Sequence, residues 1–520
     1  MKRITILILT LCMLGIAAKS CPVIPIPKQC VSNGDFFTLD RNVVIVGVDD
    51  ELSSYLQSAL FRYTQIPVKV GKNTANANTI RLVLDSRPSF AEGGYSLEIT
   101  GQQVVIRSDH KNGLFNGIST FLQISSAGQK QGFRLDGVKI VDQPRFKWRG
   151  VMIDEARHFF GKEKIKQILD WMAFYKLNKF HWHLTDSQGW RMQIKQYPKL
   201  TAIGGIGNFS DPFYQARFYT QKDITEIVEY ASQRFIEVIP EVDMPGHAAA
   251  AVKAYPEFSG GGSAAHPDFT FNPGKEETYS FLTNILREVD VLFPSQMIHI
   301  GGDEVHYGNE KWNQLPEVAD LMKKNNLSDL KEVELYFFKR MSDSLQNLNN
   351  KILAWDEVVG NNIGKNHIVF WWRHNRLEQL RQALDKKVNV VMCPRSPFYF
   401  DYMQDSSQVY GPDYKKFGVN SVEKIYNFSP EIYGVKTEDM PYILGVQGNL
   451  WTERIQSENR LDYMLFPRIA SLAETAWTMS DNKDFSSFKD RVTQHYPLYE
   501  QDNVYYYDFL DFRRRSEPMK

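Results

Sequence analysis

Cysteine is scarce: four in 520 residues, one of them Cys12 inside an apolar leader. That excludes a disulfide-built scaffold, and no zinc-finger spacing is present. An excess of either charge is also missing, with Lys plus Arg and Asp plus Glu at 61 each. No overall field therefore draws the chain to nucleic acid or to an anionic membrane. Short-period repeats and low-complexity segments are absent, and no Gly-rich phosphate loop follows a first strand. What remains is an ordinary globular composition, 43% hydrophobic and 23% charged. The chain is too long for one small core and divides into two or more domains.

Residues 1–20 read as an export signal. Lys2 and Arg3 precede an apolar run over 4–18, and Ala18-Lys19-Ser20 offers small residues for cleavage before Cys21. The run falls short of the ~20 residues that span a bilayer. Lipid modification of Cys21 is the alternative, and Lys19 beside it fits a lipoprotein signal poorly. Cys21 and Cys30 are placed to close a small loop in an oxidising compartment, while Cys393 sits in an apolar run as a buried thiol.

Residues 22–142 read as a small α/β domain. Val43-Val44-Ile45-Val46 and Ile80-Arg81-Leu82-Val83-Leu84 are strand-like, Gly101 separates the arms of a hairpin, and a helix covers 112–124. After Asp142-Gln143-Pro144 short apolar strands alternate with amphipathic helices. Ile165, Ile168, Leu169, Met172 and Tyr175 recur at helical spacing before a strand at 179–184. Thr220-Gln221-Lys222-Asp223 is a capping-box pattern opening the next helix, which leads to a strand at 235–240. Further strands begin near Val151, Met297, Ile352, His367, Val388 and Ile443. About eight strands over residues 145–480 predict an α/β fold, a (β/α)₈ TIM barrel. A doubly wound open sheet is the weaker alternative. Residues 481–520, rich in Tyr and Arg, are expected to pack on the barrel.

A barrel places its reactive groups at the C-terminal ends of its strands. Those ends here carry Arg149 with Asp154, His181-Trp182-His183 with Asp186, Glu241 and His247, His299 to Glu304, Trp355-Asp356-Glu357, Trp371-Trp372-Arg373, Tyr399 with Asp401, and Trp451 with Glu453. One such residue is readily a packed polar group; carboxylates and tryptophans at most of the ends together point to a sugar pocket, since pyranose C–H faces stack on aromatic rings and hydroxyls bond carboxylates and Arg. Gly301-Gly302 lets the backbone turn and present Asp303-Glu304 to the cleft. Two carboxyls facing each other across a glycosidic bond are awkward for sequence neighbours. Hydrolysis assisted by a 2-acetamido group removes the difficulty: Glu304 protonates the leaving oxygen while Asp303 holds the amide that attacks. Tryptophans and an anionic Asp303 are expected to push the Glu304 carboxyl upward.

These segments carry a resemblance. Trp148-Arg149-Gly150-Val151-Met152-Ile153-Asp154 with Arg157-His158-Phe159, His181-Trp182-His183-Leu184-Thr185-Asp186, Pro240-Glu241-Val242-Asp243-Met244-Pro245-Gly246-His247, His299-Ile300-Gly301-Gly302-Asp303-Glu304 and Leu450-Trp451-Thr452-Glu453 make residues 146–477 similar to the catalytic domain of glycoside hydrolase family 20, the β-N-acetylhexosaminidases. The preceding residues resemble the small domain that commonly accompanies it. The resemblance implies Glu304 as general acid/base, Asp303 as the residue orienting the acetamido group, and Tyr399 as donor to its oxygen. It implies Trp355, Trp372 and Trp451 as aromatic walls, Arg149 as the arginine gripping hydroxyls, and Asp401 and Glu453 as carboxylates reaching O4 and O6. Asp186 and His247 match a supporting relay. Trp372 is preferred to Trp371 for its place before Arg373. No cofactor and no metal is implied, the partner is a glycan ending in N-acetylhexosamine, and oligomeric state is left open.

Two other readings are weighed. A metal-dependent barrel hydrolase would use His181 and His183, on one face of one strand, with His247 and Asp303; chelation distinguishes it. A non-catalytic glycan-binding protein would be free to lose the acid, yet Asp303, Glu304 and Tyr399 are all present.

Overall fold

The computed structural model describes residues 21–519 apart from 73–77, 88, 361–362 and 413. The proposed export signal lies outside the described residues. Eight parallel strands close into a barrel: Trp148–Asp154, Lys179–His183, Glu237–Glu241, Met297–His299, Lys351–Trp355, His367–Trp371, Asn389–Met392 and Ile443–Leu450, the last pairing with the first from Gly445↔Trp148 to Leu450↔Ile153. The eight-strand expectation holds. Side-chain alternation decides what each strand presents: Trp148, Met152, Ile239, Leu353, Trp355, Ile368, Phe370, Val391 and Cys393 form one buried cluster inside the barrel. Their neighbours face the surrounding helices. Cys393 is fully buried there, and burial holds its thiol well above the ordinary range.

The helices follow from amphipathic repeats. Lys162–Phe174 buries Ile165, Ile168, Leu169 and Met172, the spacing seen in the sequence. Gln221–Ser232 starts as expected: Thr220 Oγ1 accepts from Asp223 N at 3.1 Å, and Asp223 Oδ2 accepts from Thr220 N at 3.1 Å. One strand departs from the strict alternation. After Trp355 the chain makes only the 3₁₀ turn Asp356–Val358, and among the described residues no α-helix lies between that strand and the one starting at His367.

The N-terminal domain is a seven-stranded sheet ordered Gln29–Thr38, Arg134–Asp142, Tyr95–Ile99, Gln103–Ser108, Thr79–Leu84, Val44–Val46 and Lys69–Val70. Its helix Lys111–Ala127 is buried almost throughout because it lies between this sheet and the barrel. Ser119 Oγ donates to Ala173 O at 2.9 Å and Gln123 Nε2 to Phe174 O at 2.8 Å. The C-terminal helices Phe485–Thr493 and Tyr496–Gln501 pack against helices of the barrel. Arg491 makes a two-pronged bond to Glu474 at 2.6 Å, and Trp171 Nε1 donates to Asp502 at 2.8 Å. Cys21 and Cys30 are neighbouring free thiols.

Candidate active site

The site is assembled where the strands end. After His299 the chain reverses through Gly301 (φ 64°) and Gly302 (φ 88°), and Glu304 itself is left-handed at 52°. Glycine is required at 301, where a Cβ would stand 1.7 Å from Asp243 Oδ1. This sharp path defeats the strand alternation that would have separated the two acids. His247 Nε2 lies 3.6 Å from Asp303 Oδ2 and 3.6 Å from Glu304 Oε2. Adjacent carboxyls thus converge on one imidazole.

Behind that imidazole runs a row of alternating charges. His247 Nδ1 is 3.2 Å from Asp186 Oδ1, Asp186 Oδ2 is 3.0 Å from His183 Nε2, and His183 Nδ1 is 2.6 Å from Glu241 Oε2. Arg157 also reaches Asp186 at 2.8 Å. Burial disfavours the imidazolium of His247, but Asp186 and Asp303 outweigh it and hold the group well above its ordinary value. Burial, then the neighbouring carboxyl of Asp243, pushes Asp303 well above the usual carboxylate range. For Glu304 burial pushes upward too, but the adjacent His247 prevails and the carboxyl lies below its ordinary value. The upward shift expected for Glu304 is thus reversed: His247, 3.6 Å away, outweighs burial.

A cavity of about 450 Å³ opens above these groups, lined by His247, Asp303, Glu304, Trp372, Tyr399, Asp401, Trp451 and Glu453, with Arg157 at its edge. Tyr399 stacks on Trp372 with centroids 6.0 Å apart and planes 12° apart. Trp355 lies fully buried, its ring 5.8 Å from that of Trp451 and its Nε1 donating to Glu241 at 2.8 Å. Trp371 faces away and packs on Tyr433, so Trp372 is the tryptophan of the cleft. Asp303 Oδ1, Asp401 Oδ1 and Trp451 Nε1 are buried without a partner. His247 Nε2 and Arg395 Nε on the same cavity are likewise unpartnered, and since buried polar atoms are nearly always paired, this cluster of orphans points to a polar ligand.

One expectation is corrected. Arg149 is not at the cleft: its guanidinium donates to Lys176 O at 2.8 Å and Phe146 O at 2.9 Å and lies 5.0 Å from the ring of Trp477. Position 149 is the second residue of its strand, at the opposite end from Asp154, and its parity turns it out toward the helices. Burial presses it down to about 9. Arg157, beyond the end of the same strand, takes the place: it meets Asp154 at 3.2 Å, Asp186 at 2.8 Å and Glu453 at 3.7 Å, and lies 5.0 Å from the ring of Trp451. Its presence three residues past Asp154 was a signal available in the sequence.

The set of metal ligands weighed from sequence does not converge. Among the described residues, the groups whose ligand atoms lie within 4.8 Å are His181–Glu241–His299, Asp186–Asp243–His247, His247–Asp303–Glu304 and Glu241–Asp243–Asp303. None unites His181 or His183 with His247 and Asp303. Both strand histidines are instead held by Glu241, at 3.0 and 2.6 Å.

Comparison with known proteins agrees with this geometry. Residues 146–480 match the profile described as glycosyl hydrolase family 20, catalytic domain, and residues 20–143 match domain 2 of that family. A beta-hexosaminidase of Porphyromonas gingivalis is 32% identical over 525 residues, covering 95% of this chain and 67% of the relative. The chain thus spans about two thirds of that relative's length. Among solved structures, the exo beta-N-acetylglucosaminidase of Vibrio harveyi in complex with N-acetylglucosamine superposes with a TM-score of 0.84 at 31% identity, covering 94% of this chain and 79% of the other. A mutant Streptomyces plicatus beta-hexosaminidase in complex with its product GlcNAc gives 0.82 at 27%, covering 94% and 97%.

Proposed function

The chain belongs to glycosyl hydrolase family 20, and from that premise we propose that it is a retaining exo-β-N-acetylhexosaminidase, removing terminal β-linked N-acetylhexosamine from glycans. The substrate's acetamido carbonyl attacks the anomeric carbon, the glycosidic bond breaks, and an oxazolinium forms that water then opens. Glu304 gives its proton to the leaving oxygen and later takes one from the water. Asp303 accepts the amide N–H and faces the positive charge that develops on the ring. Tyr399 donates to the acetamido oxygen, Trp355, Trp372 and Trp451 enclose the sugar, and Asp401, Glu453 and Arg157 meet its outer hydroxyls.

The observation that carries this reading is the pair of adjacent carboxyls at 3.6 Å from one imidazole. Burial holds the Asp303 carboxyl well above the usual carboxylate range, while the adjacent His247 outweighs burial and holds Glu304 below it. An amide N–H arriving at Asp303 favours its ionised form. An ionised Asp303 in turn pushes the neighbouring Glu304 carboxyl upward, the direction a proton donor needs.

The test is nitrophenyl β-N-acetylglucosaminide hydrolysis followed by NMR. The first-formed sugar should be the β-anomer, and the 2-hydroxy analogue should turn over at least ~10³-fold more slowly, the scale of losing a positioned intramolecular nucleophile. An α-product, or equal rates on both glycosides, would refute it.

We propose further that the protein is exported and cleaved near residue 20. The support is the Lys2-Arg3 pair, the apolar run after it and the small residues before Cys21. Among the described residues no helix is long and apolar enough to cross a membrane. The mass of the mature chain from fractionated cells tests this.

A further inference from the structure

Arg395 lines the cavity together with Glu304, Trp372 and Tyr399, yet nothing in the reaction above uses it. The other arginines lining the cavity are engaged: Arg157 pairs with Asp186, Asp154 and Glu453, and Arg454 donates through Nη1 to Gly411 O. Among the described residues Arg395 forms no ion pair and its guanidinium donates no hydrogen bond, and its Nε is buried without a partner. It is also fixed. Its backbone N donates to Trp372 O at 2.9 Å, its carbonyl accepts from Asn420 Nδ2 at 2.7 Å, and its Cζ stands 5.0 Å from the Trp372 ring centroid. A cation held in place, partly desolvated and lacking a counter-charge is unfavourable unless a ligand supplies the charge.

We propose that Arg395 selects substrates whose leaving sugar is anionic, receiving a carboxylate or sulfate on the residue from which the terminal N-acetylhexosamine is cut. This rests on the hexosaminidase reading of the cleft. The side of the cleft follows from the cavity wall that Arg395 shares with the acid Glu304. Glu304 faces the leaving oxygen, so we assign the cation on that wall to the leaving-group side. Asp401 and Glu453, assigned above to the terminal sugar's outer hydroxyls, line the same cavity. A guanidinium offers two parallel donors that match a carboxylate or sulfate, which a lysine does not.

The experiment compares kcat/KM on three disaccharides: GlcNAc β-linked to glucuronate, GlcNAc β-linked to 6-sulfated GlcNAc, and neutral GlcNAc-β-1,4-GlcNAc. Wild type, Arg395→Ala and Arg395→Lys are measured at low and high salt. The ratio of anionic to neutral kcat/KM should fall by about tenfold or more in Arg395→Ala and by less in Arg395→Lys, and high salt should lower the wild-type ratio. A fall confined to the uronate assigns a carboxylate site, and a fall on both assigns a general anion site. Ratios unchanged within about twofold in both folded variants, or a wild type that cleaves only the neutral disaccharide, overturn the proposal. If wild type leaves the neutral disaccharide intact as well, the hexosaminidase reading itself has failed.

Discussion

Replacing Asp186 by Asn tests whether the charges behind the acid act on it. Asp186 is buried and lies 3.2 Å from His247 Nδ1. At an effective dielectric of about 20, opposite unit charges at that distance attract by about 5 kcal/mol. Without that anion the desolvated His247 loses its hold on the extra proton. Glu304 then loses the cation at 3.6 Å that keeps its carboxyl low, a link of only slightly smaller size. Burial would then carry Glu304 upward and make it a weaker acid. We expect kcat on a disaccharide to fall by about 10- to 100-fold, part of the range spanned by general acid catalysis. The alkaline limb of the kcat profile, which reports the acid in the bound complex, should move to higher pH. A merely structural role would lower the melting temperature or the active fraction and leave that limb where it is. Wild-type kcat with a superimposable pH profile would refute the reasoning.

Glu304→Gln should reduce turnover of a disaccharide by about 10²- to 10⁴-fold while product binding by calorimetry is largely kept; a loss below about tenfold would remove Glu304 from the acid role. Gly301→Ala should destabilise by about 2–4 kcal/mol, since Ala pays for the left-handed backbone and its Cβ meets Asp243. Gly34→Ala, at φ 80° with nothing within 4 Å, is the control, and equal melting shifts for both would contradict the steric argument. Glu155 is pushed by burial from 4.5 to about 8, so between those values the native state holds a proton the unfolded chain has released. Its contribution to stability therefore falls by about 1.4 kcal/mol per pH unit as pH rises through that window. Glu155→Gln cannot titrate and should gain on wild type from pH 5 to pH 8 in urea denaturation. Parallel curves would show that Glu155 is ionised in the fold.

The acidic window of the whole protein has a different origin. Asp186 and Glu241 are held well below the carboxylate range against the opposing effect of burial, Asp186 mainly by Arg157 and Glu241 mainly by His183. Their stabilisation is present above the unfolded carboxylate pKa and is lost as pH falls through their depressed folded values. His183 is raised despite burial, chiefly by Glu241, so its share is full below the unfolded histidine value and fades as pH rises through the raised one.

The sequence by itself determined which residues repeat, and periodicity is local. The eight barrel strands, the Thr220 capping box, and the clustering of acids and tryptophans at strand ends could be read because each depends on neighbours in the chain. Asp303-Glu304 was legible for the same reason, since Gly301-Gly302 announces a turn in which both acids can face one way. Strands Gln29–Thr38 and Arg134–Asp142 were missed because the first exposes nearly every side chain and pairs only across a long sequence gap. Tertiary structure alone decided which end and which face a residue occupies, as the exchange of Arg149 for Arg157 shows. It also decided the sign of the Glu304 shift. Apolar walls can be counted in a sequence, but a counter-charge acts through distance, and His247 reaches 3.6 Å from Glu304 only when two separate strand ends meet at the barrel mouth.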